Sequence, residues 1–303
     1  MNKILIIGAG QLGERSIQSI QNSKNIYKLY YYEEDNIRSD YIKTKYKITQ
    51  IDNIKDLSKF DIIHVATTSK GRHIILLNKT IRDDCLVLVE KPTASNIDEL
   101  KEQSKWDYKD NYLVNLNRRY FPINQKLKSI LKAPFSLKCM AKDLHMLGNI
   151  SHFLDLMRFY GVTSNYKITI EDKYSIFDTK RKNYKDIRGQ LVINYECGSR
   201  LCLIDDSSIN HHGYIYTYAF KEMIFKYNET RKIIIENNLI NDFINIEDLS
   251  KFHSELFIDV INDFSNGVVI LPMLYEVALD NLSSFDLMHD IFNTPRRSSL
   301  PVS

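Results

Sequence analysis

The sequence predicts an α/β protein in which a parallel-sheet domain, residues 1–120, precedes an α+β domain with an open, mainly antiparallel sheet, residues 121–303. Three observations lead there. In the first part, short apolar runs alternate with amphipathic segments, the rhythm of βαβ units. Past Asn117 the pattern changes to longer alternating runs punctuated by turns. A glycine cluster, GAGQLG, separates the first apolar run from the first amphipathic one.

Taken in order, Lys3 to Ile7, Tyr27 to Tyr32, Ile62 to Thr67, Cys85 to Val89 and Tyr112 to Asn117 read as strands. Helices are expected at Gln11 to Ile20, Arg72 to Thr80 and Asn96 to Trp106, the last opened by a capping box from Ser95 to Asp98. In the second part a helix near Ile123 to Leu131 leads to a strand at Phe135 to Ala141. The nearly all-round apolar helix HFLDLMRFY follows, stopped by Gly161. RGQLVINYECGSRLCLID, with a turn at Gly198, YIYTYAFKEMIFKY and KIIIEN then suggest an antiparallel sheet of roughly four to six strands. Helices near Ser254 to Asn266 and Glu276 to Ile291 close the chain.

Bulk properties exclude several classes. The 303 residues carry 41 Lys plus Arg against 38 Asp plus Glu, scattered, which gives no basic patch for nucleic acid. Cys85, Cys139, Cys197 and Cys202 fall at no zinc spacing and read as reduced core thiols. No apolar run reaches the roughly 18 residues of a spanning helix, and the opening run is too short for a signal peptide, so a cytoplasmic protein without membrane contact is expected. No metal site is expected; the adjacent His211 and His212 lack a third ligand, and no Ser/His/Asp arrangement or G-K-[ST] loop occurs.

Gly8, Gly10 and Gly13, with Gln11 and Leu12 between them, stand in GxGxxG spacing after a strand and at the start of a helix. In a Rossmann dinucleotide-binding domain the first glycine makes the tight turn, the second admits the pyrophosphate and the third lets helix and strand pack. The same pattern in another fold would serve only a tight βα turn. Glu33, twenty residues after Gly13, is placed to take the ribose hydroxyls, which favours NAD over NADP; Arg38 nearby could accept a phosphate instead.

Glu90 and Lys91 stand at the carboxyl end of an aliphatic strand, where open α/β sheets bind ligands. Pro92 biases Lys91 toward extended backbone. An ammonium there can donate to a substrate oxygen and share in its proton transfer, or it can be an ordinary strand-end lysine.

The succession GAGQLG, HVATTSKGRH, VEKPTA, NLNRRYFP and NISHFLDLMRFYG resembles the glucose-fructose oxidoreductase, inositol dehydrogenase and MocA (Gfo/Idh/MocA) family of nicotinamide-dependent oxidoreductases. The resemblance runs the length of the chain, with EKP its most specific element. It implies that Lys91 touches the nicotinamide ribose and the reacting oxygen, that Glu90 lies near the cofactor ribose, and that Thr67, Thr68 and His73 occupy the family's cofactor turn. It places Asn117 with Arg118 and Arg119 where cofactor and substrate sides meet, and makes His152 the acid/base partner. One departure stands out. Many members carry an aspartate four residues before that histidine and a glycine two before it; here Gly148 and Ile150 stand there. Asp155, three residues on, or Asp143 could orient His152 instead, or His152 and Asp155 could satisfy each other as a buried polar pair.

The resemblance implies hydride transfer to or from a sugar or nucleotide-sugar carbon, as in the making of surface-polysaccharide sugars, with Lys91 and His152 managing the proton and Arg118, Asn149 and Asp155 on the substrate side. It also implies a dimer or tetramer joined through the C-terminal sheet; the tyrosines of YIYTYAF, with no basic patch beside them, read as sheet surface and as the buried face of a subunit interface. Reduction of another small carbonyl or imine compound, and non-catalytic sensing of the dinucleotide, remain alternatives.

Overall fold

The computed structural model describes residues 2–171, 173–181, 183–209, 213–237 and 253–302. His211 and His212 lie outside the described residues. The chain forms two compact units, one of Met1–Asn117, Phe252–Leu282 and Arg296–Ser299, the other of Arg118–Lys251, Ser283–Pro295 and Leu300–Ser303.

The first unit runs β1 (Lys3–Ile7), α1 (Gln11–Asn22), β2 (Lys28–Tyr32), α2 (Asn36–Tyr46), β3 (Thr49–Gln50), β4 (Ile62–Val65), α3 (Arg72–Leu76), β5 (Leu86–Val89), α4 (Ile97–Gln103) and β6 (Tyr112–Val114). Its strands pair in the order β3-β2-β1-β4-β5-β6, all parallel. Each of β4 and β5 is buried along its whole length; β5 is accordingly an unbroken aliphatic run, while β4 carries one buried polar residue, His64, among its aliphatics. Leu5 and Ile7 of β1, Ile63 and Val65 of β4, and Val87 and Val89 of β5 share a core with Phe60, Trp106 and Val114. The helix α4 starts one residue later than expected. Asn96 is its cap, accepting from the Glu99 amide at 3.0 Å, while the Glu99 carboxylate accepts from the Ser95 amide at 2.7 Å.

The second unit opens with a 3₁₀ turn, of which Arg118 to Tyr120 are part, followed by α5 (Pro122–Ile130), β7 (Ser136–Ala141), α6 (Met146–Phe159), β8 (Tyr166–Ile170), β9 (Ser175–Asp178), β10 (Lys185–Tyr195), β11 (Arg200–Asp205), β12 (Ile215–Phe220), β13 (Met223–Asn228) and β14 (Ile233–Asn237). These strands form an eight-stranded sheet, larger than the sequence suggests, in the order β14-β13-β12-β7-β11-β10-β8, with β9 on β10. The two extra strands are β8 and β9, the short runs YKITI and SIFD, neither of which has a fully buried residue. Pairing is antiparallel except between β7 and β11. Two helices, α7 (His253–Ser265) and α8 (Leu274–Ile291), complete the chain. In the first unit α7 packs on α1, and the stretch before α8 extends the sheet edge, with the Val114 amide donating to the Pro272 carbonyl at 2.9 Å.

Candidate functional site

β1 ends at Ile7, and the turn after it is made by Gly8 at φ +89°, where a Cβ would stand 2.8 Å from the Thr67 backbone nitrogen. Gly13 is tighter still, since a Cβ there would lie 2.1 Å from the Gly8 carbonyl oxygen. Both positions require glycine for the chain's own packing. Gly10 differs: it is exposed, and a Cβ on it would meet nothing within 4 Å. Open space over that backbone is what close approach of a pyrophosphate uses. Gly10 is also the N-cap of α1 with no side-chain cap, so the amides at Gln11, Leu12 and Gly13 begin a helix whose positive end faces that space.

Glu33 follows β2 and leans on this loop. One carboxylate oxygen accepts from the Ala9 amide at 2.8 Å, the other from the Asp35 amide at 3.1 Å. Arg38, on α2, folds back across the same loop, donating from Nε to the Ala9 carbonyl at 2.6 Å and from Nη2 to Glu14 at 2.6 Å. Partial burial works to raise the Glu14 pKa, but hydrogen bonds from Tyr46, Lys45, Arg38 and Tyr41 outweigh it and hold it down to about 2. Glu14 is therefore a fixed negative charge in the first turn of α1.

At the carboxyl ends of β4 and β5 stand Thr67, Thr68, Glu90 and Lys91. Thr68 is exposed, Thr67 and Lys91 half-buried, and the Thr67 hydroxyl is buried without a hydrogen-bond partner among the described residues. The Glu90 carboxylate is buried, accepting from Asn115 Nδ2 at 2.6 Å and lying 3.0 Å from His64 Nε2. Its side chain is thus held by its neighbours in the sheet and not turned outward to a ribose. Arg72 is buried and donates to the carbonyls of Thr67, Glu90 and Pro92, tying the turn after β4 to the rim after β5. His73 stacks its ring on Trp106 at 5.5 Å, so its ring is occupied in packing. Asn117, half-buried, ends the first segment of this unit.

In the second unit α6 carries Asn149, His152 and Asp155. Asn149 donates to the Leu144 carbonyl at 2.8 Å and is hydrogen-bonded to Tyr214. His152 is half-buried. Asp155 is 3% exposed and takes Arg119 on both carboxylate oxygens, from Nε at 3.0 and 3.1 Å and from Nη2 at 2.6 Å. Asp143 is engaged by Arg188 at 2.8 Å. Both aspartates proposed to orient His152 therefore have arginine partners. The amino end of α6 is fixed from the sheet: Asp186 on β10 accepts from the Leu147 and Gly148 amides at 2.9 and 3.0 Å, and Asp205 on β11 from the His145 amide at 3.1 Å. Burial pushes the Asp186 and Asp205 carboxyls up, against these amide bonds.

Arg118 is buried in an aromatic box, its guanidinium 5.1 Å from the Phe153 ring centroid, 5.3 Å from Tyr214 and 5.7 Å from Tyr216, with Glu229 at 3.7 Å. Its Nη1 and one Glu229 oxygen have no hydrogen-bond partner among the described residues. Tyr216, Tyr218 and Tyr227 are wholly buried and mutually stacked beside it, so Tyr216 and Tyr218 of YIYTYAF belong to the interior of this unit and not to the sheet surface, while Tyr214 is half-buried.

Residues 2–114 match the sequence model of the family described as "Oxidoreductase family, NAD-binding Rossmann fold". This domain belongs to the Gfo/Idh/MocA family. No curated protein matches the chain. Among solved structures the chain is similar in fold to the WlbA dehydrogenase from Bordetella pertussis in complex with NADH and UDP-GlcNAcA, at TM-score 0.70 and 12% identity, covering 100% of this chain and 98% of that one. UDP-N-acetylglucosamine 3-dehydrogenase GnnA from Acidithiobacillus ferrooxidans matches at TM-score 0.67 and 13% identity, covering 94% and 95%. Biliverdin reductase from Synechocystis sp. PCC 6803, in complex with biliverdin and NADP+, matches at 0.64 and 13%, covering 94% and 97%.

Within this family frame the residues present fit a dinucleotide: the open face of Gly10, the uncapped start of α1 and the orphaned Thr67 hydroxyl are features the protein's own packing leaves unused. Among the described residues no group of His, Cys, Asp and Glu could hold a metal, and no helix is long and apolar enough to cross a membrane. Sequence reasoning missed Arg72, His64, Asp186 and Asp205. Only Arg72 gave a signal, a charged residue directly before the family's histidine.

Proposed function

We propose that this chain is an NAD-dependent oxidoreductase that interconverts a hydroxyl and a ketone on a sugar or nucleotide sugar. The observation that carries the reading is the shared carboxyl edge of one parallel sheet, which presents the Gly8–Gly13 cradle with Glu33 at one place and Lys91 at another. Bound nicotinamide would supply a hydride acceptor or donor at its C4. Gly10 and the α1 amides would hold the pyrophosphate, and Glu33 the ribose diol. Lys91, its neighbouring backbone fixed by Arg72, would donate a hydrogen bond to the substrate oxygen and carry its proton. His152 would serve as the second proton carrier, with Arg118 and Asn149 toward substrate groups. The nucleotide-sugar assignment is supported by the WlbA and GnnA structures, whose ligand and name involve UDP-sugars. Assembly into a dimer or tetramer through the half-exposed face of the large sheet belongs to the same proposal.

The test is NAD reduction, or NADH consumption, with a panel of free and nucleotide-linked sugars and ketosugars. Turnover is expected with a member of the panel, and Lys91→Ala should lower it by roughly 10²- to 10⁴-fold, the usual worth of a positioned acid/base. NADH binding with no turnover anywhere in the panel would refute the sugar reading. Near-normal turnover by Lys91→Ala would remove the lysine from the chemistry.

A further inference from the structure

Two groups with opposite preferences lie on the same glycine loop. Glu33, anchored to the Ala9 amide, suits a ribose diol and repels a phosphate; Arg38, anchored to the Ala9 carbonyl at 2.6 Å and the Gly10 carbonyl at 3.3 Å, suits a phosphate. Their conflict is resolved by a third residue. Glu14 follows Gly13 in the first turn of α1, and one of its oxygens takes Arg38 Nη2 at 2.6 Å. Its other oxygen accepts from Tyr46 at 2.5 Å, Lys45 at 2.9 Å and Tyr41 at 3.1 Å, all on α2. The Arg38 guanidinium also lies 4.9 Å from the Tyr41 ring centroid, so it is held on both sides.

We infer that Glu14 sets the cofactor choice by withholding Arg38 from a 2′-phosphate. The inference rests on the dinucleotide reading of the loop and deepens it. With Glu14 in place, the charges of Arg38 and Lys45 are balanced by those of Glu14 and Glu33, and the acidic run continues at Glu34 and Asp35. A phosphate carrying about two negative charges finds no net attraction there, and to engage Arg38 it must break a charge-assisted pair that is only partly exposed. Neutralising Glu14 removes both obstacles while leaving Glu33 and the glycines untouched. The side chain at position 14 thus acts through Arg38 as a specificity-determining residue.

The experiment is a fluorescence titration of the full chain with NADH and with NADPH at low ionic strength, for the wild type, Glu14→Gln, Arg38→Ala and the double variant, with melting temperatures recorded for each. The wild type is expected to favour NADH. Glu14→Gln should lower the NADPH-to-NADH ratio of Kd on the order of tenfold, the worth of about 1.4 kcal/mol from a single freed charge-assisted contact. The double variant should return to the wild-type ratio, and Arg38→Ala alone should leave that ratio unchanged. An unchanged ratio in a folded Glu14→Gln overturns the inference, as does a gain that persists without Arg38. If Glu14→Gln does not fold, Arg38→Ala decides alone, since a large selective loss of NADPH affinity would show that Arg38 already serves the phosphate. Failure of the wild type to bind either cofactor is a different result, which removes the dinucleotide reading itself.

Discussion

Replacing Asp155 with alanine should strip a buried guanidinium of its counter-ion. Asp155 is 3% and Arg119 8% exposed, and three contacts of 2.6 to 3.1 Å join them, so neither charge can recover its hydration when the other is removed. Breaking a buried pair from one side costs about 3–5 kcal/mol. At about 2–4 °C per kcal/mol for units of this size, the melting temperature should fall by roughly 6–20 °C. Arg119→Met should cost a comparable amount, but the double variant Asp155→Leu with Arg119→Met should cost less than the sum of the singles by about 2 kcal/mol or more, because it removes both desolvated charges. Urea unfolding with linear extrapolation measures each value, and an unchanged m confirms that the same surface is being exposed. A single-variant loss below about 1 kcal/mol, or strictly additive losses, would refute the reasoning that this pair is a desolvated structural bond.

Gly10 and Gly13 should separate binding from folding. Gly13→Ala forces a Cβ against the Gly8 carbonyl and should lower the melting temperature, whereas Gly10→Ala meets nothing and should melt like the wild type while weakening NADH binding; equal binding by Gly10→Ala would show that the pyrophosphate lies elsewhere. Acid should test the Glu14 network. Its pKa is lowered from 4.5 to about 2, so its stabilising contribution is complete above pH 4.5 and is lost as pH falls toward 2. The stability gap between wild type and Glu14→Gln, followed by melting temperature, should close over that window, and a gap that stays constant through it would contradict the assignment.

The parallel sheet was legible because its geometry is written in single residues. The close contacts at Gly8 and Gly13 need glycine, and spacing alone carries that information. The helix α2 was not legible for the opposite reason. In NIRSDYIKTKY the apolar side chains of Ile37 and Tyr41 are 85% and 43% exposed while Ile42 and Tyr46 are buried, so no clean apolar face appears. What defines that helix is local, the Asp35 cap on the Arg38 amide at 2.8 Å. The capping box of α4 slipped by one because Ser95 and Asn96 are both good caps, and only the position of Glu99 separates them.

Side-chain partners were legible only where they are close in sequence, and the candidate site is built mostly from distant ones. Spacing along α6 suggested Asp155 as a partner for His152, but a helix shows its own i to i+3 neighbours and nothing of an arginine 36 positions earlier. Glu90 presents the same problem across a sheet. EKP reads as a rim motif, yet its carboxylate is gathered by His64 after one crossover and Asn115 after another, groups brought together only when β4, β5 and β6 pair in register. Arg72 then ties the backbone on either side of Lys91 to the turn at Thr67. The lysine that sequence alone could single out therefore depends for its position on buried polar groups that sequence could not, and that division follows from physics: a side chain offered to a ligand has to stand at the rim of the sheet, while the groups that hold its backbone must be satisfied inside it.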